Sequence, residues 1–121
     1  MIFGFVYLLV GIAGFIPALG GTAALSPPSN LLGTFSINVV HNIVHLIIGF
    51  FGISLSRTEG GGAAFCGTFG VILIVIGIVG FFWPLSLNAS LLPIRGVDVW
   101  LHLVTGLILA AVGFGASRAA A

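Results

Sequence analysis

Charge is what this chain most lacks. Only 4% of its 121 residues are Asp, Glu, Lys or Arg, and the net charge is +1. That excludes a basic surface for nucleic acid and a polybasic segment for acidic lipid headgroups. There is one cysteine, Cys66, which excludes an intrachain disulfide and a thiolate metal site. It is read as a small apolar interface residue. The single Asp and three His leave no basis for a Ser-His-Asp grouping, and Cys66 has no nearby sequence partner for nucleophilic chemistry.

What is abundant is apolar. Hydrophobic residues make up 60% of the chain and the mean hydropathy is +1.35, too little polar surface to coat a soluble globule. The expected solvent is lipid. A crossing needs about 20 helical residues, and four stretches approach that length: Phe3 to Leu19, Ile37 to Leu55, Phe65 to Leu85 and Val97 to Phe114. The first lacks the basic start of a signal peptide and is read as a retained helix. The expected fold is all-α, a polytopic membrane protein with four transmembrane helices.

The four stretches form a duplicated two-helix unit. Phe3-Gly4, Gly11 and Gly14-Phe15 recur as Phe69-Gly70, Gly77 and Gly80-Phe81, and His45-Leu46-x-x-Gly49 recurs as His102-Leu103-x-x-Gly106. The repeats are assigned to residues 1–57 and 65–121 of one membrane domain, joined by a polar Gly-rich hinge at 58–64. Two spans per copy relate the copies by a pseudo-two-fold axis along the membrane normal and put both termini on one side. Arg57 and Arg118 on that side, against Arg95 on the other, favour the cytoplasm for the termini by two charges to one. In the connections, Leu31 to Phe35 is interfacial or extends the second helix, and Asn88-Ala89-Ser90 matches a glycosylation sequon too short to weigh.

Polar residues inside the spans follow helical spacing. Asn38, His41, His45, Gly49, Gly52 and Ser56 share one stripe, as do Asp98, His102, Gly106, Ala110, Gly113 and Ser117. The alignment that superposes His45 on His102 places His41 opposite Asp98. Such stripes face protein, and the glycines let backbones approach closely where packing drives association.

The run Asn38-x-x-His41-Asn42-x-x-His45-x-x-x-Gly49, preceded by Leu32-Gly33-x-Phe35 and echoed by Leu92-Pro93, Asp98, Trp100-Leu101-His102 and Gly106, resembles a bacterial family of small four-helix membrane proteins with a domain of unknown function. The resemblance implies a compact membrane protein and transfers no catalytic role.

Several uses of the histidines stand side by side. In a structural network, neutral His would hydrogen-bond to Asn38, Asn42, Asp98 and Thr105, with Asp98 capping its helix or pairing with Arg95. In a macrocycle site, His45 and His102, on different helices, could ligate haem from opposite faces, which His41 and His45 cannot do together. A chlorophyll needs one axial His, and the 11 Phe residues suit either ring. In a metal site, His41, His45, Asp98 and His102 would form a zinc set. A proton relay or small transporter finds no ionisable groups in the other half of the spans.

The reading that results is a non-enzymatic structural or accessory membrane subunit, in a bacterial inner or photosynthetic membrane. Its partners would be the lipid bilayer and other membrane subunits or itself, with no nucleic acid.

Overall fold

The computed structural model describes residues 1–94 and 96–120, without the side chains of Leu85, Ala89, Ser90 and 117–120. Arg95 and the side chains of Ser117 and Arg118, which enter the charge, capping and stripe expectations, lie outside the described residues. Among the described residues the order is α1 (Ile2–Ala13), a 3-10 turn (Pro17–Leu19), β1 (Ser29–Leu31), β2 (Phe35–Ile37), α2 (Val39–Leu55), α3 (Gly61–Gly80), α4 (Leu85–Ser90) and α5 (Val97–Ala120).

The chain is mostly helical, but not purely so. The Leu31 to Phe35 segment is neither an interfacial helix nor an extension of α2: it turns an antiparallel hairpin in which Ser29 pairs with Ile37 and Leu31 with Phe35. Gly33 at φ 73 makes that turn possible, since a left-handed backbone suits glycine. Leu31 and Ile37, one on each strand, are buried.

The helix ends also depart from the expected spans, for local reasons. Pro17 disfavours helical backbone at Ile16, which is extended, so α1 stops at Ala13 and does not run on to Leu19. Asn38, extended and accepting from the His41 N–H, caps α2 and starts it two residues later than Ile37. Gly60, left-handed, starts α3 at Gly61, so Gly61 and Gly62 belong to a helix and the hinge contracts. Helices α3 and Val97–Ala116 of α5 are long and apolar enough to cross a membrane, while α1 and α2 are shorter apolar helices.

Packing joins α1 to α2 and α3 to α5 as two antiparallel pairs. The same contacts recur in both. A methyl group built on Gly11 would lie 2.9 Å from the Leu46 backbone nitrogen, and one on Gly77 would lie 3.2 Å from that of Leu103. One on Gly49 would lie 2.5 Å from the Leu8 nitrogen, and one on Gly106 2.9 Å from that of Ile74. Gly4 likewise meets Ile53, and Gly70 meets Ala110. Between the pairs contact is sparser. It runs through Gly52, whose added methyl would meet the Phe65 ring at 2.8 Å, and a small core of Tyr7, Phe65, Cys66, Leu73 and Leu109.

Replacing Gly11 or Gly77 by Leu should therefore destabilise the fold by about 1–3 kcal/mol, the usual range for overpacking. Gly67→Ala is the contrast, because its added methyl meets only the Phe114 ring at 3.7 Å, an ordinary contact. Thermal unfolding in detergent should show a lowered midpoint for the two Leu variants and a near-native one for Gly67→Ala. Equal midpoints in all three would mean that these backbone approaches do not hold the pairs together.

Candidate functional site

The seam between the two helix pairs contains His41 and His45 of one stripe and Asp98 and His102 of the other, with Asn38 and Asn42 at its end. Asn38, Asn42 and Asp98 are each at most 2% exposed, His41 and His102 are 7% exposed, and His45 is half-buried. Burying so many polar groups is costly unless each finds a partner, so their hydrogen bonds divide them by role.

The two asparagines are satisfied, and by backbone. Asn42 donates from Nδ2 to the carbonyls of Gly14 at 2.7 Å and Thr22 at 2.8 Å. The Gly14 carbonyl also accepts from the Thr22 N–H at 2.7 Å, so Asn42 fastens the connection to the end of α1. Gly14 has no side chain because the Asn42 amide fills that space. Asn38 accepts from the His41 N–H through Oδ1 and donates through Nδ2 to Leu25 O at 3.2 Å and Leu91 O at 2.6 Å. One amide thus caps α2 and ties the connection within the first pair to that within the second. Neither asparagine is engaged with a histidine ring, contrary to the expected structural network.

The histidines and Asp98 are different. Both ring nitrogens of His41, Nδ1 of His102 and Oδ2 of Asp98 are buried without a hydrogen-bond partner among the described residues. The ligating nitrogens of His41, His45 and His102 all lie within 4.8 Å of one another. The His41 and His45 rings have centroids 4.2 Å apart, and those of His41 and His102 are 6.4 Å apart. Tyr7 meets the His45 ring edge-on at 5.3 Å. Asp98 falls in the first turn of α5, inside the helix, and so is not its N-cap.

These groups line a cavity of about 250 Å³ between α1 and α5, walled by Ile2, Phe3, Val6, Val10, Leu101 and Thr105. The volume is small for a flat macrocycle, since pockets for drug-sized ligands run to roughly 300–1,000 Å³. His41 crowds the ring of His45, so the three nitrogens gather about one point instead of facing each other in pairs across a plane. Sequence spacing placed His41 and His45 on one face, but could not place His102 against both.

Comparison with known proteins matches residues 1–115 to a protein family described as Domain of unknown function (DUF4383). No curated protein and no solved structure matches the chain.

The double role of Asn38 can be dissected. Asn38→Ala should lower stability by about 1–3 kcal/mol, because it removes a cap and the two part-buried bonds to the Leu25 and Leu91 carbonyls. Asn38→Asp retains an acceptor for the His41 N–H but no donor for Leu25 O or Leu91 O. Thermal unfolding should show it at least as destabilised as the Ala variant. A wild-type midpoint for Asn38→Asp would reduce the residue to a helix cap.

Proposed function

We propose that this chain, which belongs to the family described as Domain of unknown function (DUF4383), is an integral membrane protein that crosses the bilayer four times and serves as a structural or accessory subunit of a larger membrane assembly. The observation that carries the reading is an inverted partition of side chains. Large apolar residues point outward on all four long helices, among them Ile2 at 78%, Leu9, Phe50, Val75, Trp100 and Leu107, while Asn42, Asp98, His41 and His102 on those helices are turned inward. A soluble protein of this size would show the reverse.

The shorter helices are compatible with four crossings. Helix α1, with 12 residues, is roughly 18 Å long at 1.5 Å per residue, short of a hydrocarbon core of roughly 30 Å. The chain continues through Phe15, Ile16 and the turn at Pro17–Leu19. Irregular backbone is tolerated at membrane depth where protein satisfies its polar groups, and Asn42 does this for Gly14 and Thr22. Two antiparallel pairs then bring both termini to the side of the turn at Thr58.

A subunit role is favoured by what lies outside the helices. The connections are a short hairpin, the six-residue helix α4 and turns, too small to form a separate catalytic domain. The apolar flank offers a surface that either lipid or neighbouring helices can cover.

Two measurements test the reading. In a Cys66→Ser background, single cysteines at Ile2 and Thr58 should label from one side of the membrane and those at Thr34 and Leu91 from the other. Labelling of Ile2 and Thr58 from opposite sides would end the four-span topology. Extracted in mild detergent from its native membrane, the chain should migrate in an assembly of defined size with other chains. Migration as a monomer would remove the subunit reading and leave the topology standing.

A further inference from the structure

Three features of the seam remain without a role in a purely structural bundle. The first is the convergence of three imidazoles, His41 and His45 from α2 and His102 from α5, with their ligating nitrogens within 4.8 Å of one another. The second is that neither ring nitrogen of buried His41 bonds to the other two rings or to anything else among the described residues. The third is Asp98, buried on the same wall with Oδ2 unpaired. Buried donors and acceptors in folded proteins are nearly always satisfied, so this cluster lacks its partner.

We propose that His41, His45 and His102 bind a single divalent transition-metal ion of the zinc class, with Asp98 supplying the compensating negative charge. Neutral imidazole suits zinc, copper, nickel and iron, whereas magnesium and calcium demand oxygen ligands. The geometry is close to closure. An ion at the centre of nitrogens no more than 4.8 Å apart would sit at most roughly 2.8 Å from each, against a Zn–N bond of about 2.0–2.1 Å. Closing the site would take a movement of at most roughly 0.7 Å at each nitrogen. Three protein nitrogens leave a fourth position open toward the cavity, the arrangement of zinc sites that also hold water or a small ligand.

Asp98 lines the cavity without joining the three nitrogens. It is placed to accept from a metal-bound water or from an imidazole N–H, and to offset part of the charge of a dication held away from bulk solvent. The ligands come from both helix pairs, which otherwise meet sparsely, so the ion would clamp the pairs together. This inference rests on side-chain geometry alone and is independent of whether the chain is a subunit of a larger assembly.

The test uses the full chain, purified in mild detergent with a tag that contains no histidine, stripped by chelator and titrated with Zn²⁺ and Co²⁺. One Zn²⁺ per chain should bind while Mg²⁺ and Ca²⁺ do not, and Co²⁺ should show the visible absorption of a four-coordinate site. Zn²⁺ should raise the unfolding midpoint, as any ligand selective for the folded state does. His41→Ala and His102→Ala should each abolish the bound equivalent and the Zn²⁺-dependent shift. Asp98→Asn should keep the stoichiometry and weaken affinity roughly 10–100-fold. His45→Asn, at the half-buried member, gives the same readout as the Ala variants should those fail to fold. The proposal is overturned if the wild-type chain binds no stoichiometric Zn²⁺, if the His variants bind it as well as wild type, or if the protein purifies with a stoichiometric macrocycle held by His45 and His102.

Discussion

Within each helix pair the two backbones run so close that a single methyl group on Gly49 or Gly106 would collide with the main chain opposite. Such proximity gives dense dispersion contact along both pairs and leaves no room inside either of them for a ligand. The looser surface is the one between the pairs, where aromatic and aliphatic side chains of unequal size meet around Tyr7, Phe65 and Leu109. The cavity lies on that seam, and the histidines reach it because the stripe that carries the glycines of α2 and α5 carries them as well. Tight pairs and an open seam are thus one feature seen from two sides.

Polar groups in the seam fall into two populations. Asn38 and Asn42 are spent on carbonyls where the helices break or the connections cross, a use that follows from the need to satisfy every buried backbone group. His41, His102 and Asp98 have unpartnered atoms at the same depth and in the same cavity. Residues as polar as their neighbours, but unsatisfied, mark the difference between a network that holds the fold and one that is poised for a ligand.

The two helix pairs share a frame of contacts and differ in chemistry. His45 and His102 occupy equivalent places, yet the position of His41 in the first copy holds Asp98 in the second, and that of Asn42 holds Val99. The packing equivalence is seen at Gly14 and Gly80, which face Asn42 and Val99 respectively. A strictly symmetric duplication would place four histidines, or two histidines and two carboxylates, around the axis. The divergence instead yields three imidazoles and one carboxylate, a set that matches the proposed zinc-class ion and carries a single negative charge.

Sequence alone determined the helical periodicity, the glycine faces and the placement of the histidines and Asp98 on inward stripes, because each is a regularity of 3.6-residue spacing that burial enforces locally. It also singled out the three histidines and Asp98 of the seam, but not Tyr7, which packs against His45 and carries no signal of its own among so many apolar residues. Tertiary structure decided the rest. The Asn42 amide of α2 reaches the Gly14 carbonyl just past the end of α1, and the segment from Leu31 to Phe35 turns a hairpin whose Leu31 and Ile37 are buried against the assembled helices. That His102 meets His41 as well as His45 depends on how one helix pair is set against the other. Spacing along a helix fixes which residues share a face, but the distance between two faces is a property of packing, and no periodicity encodes it.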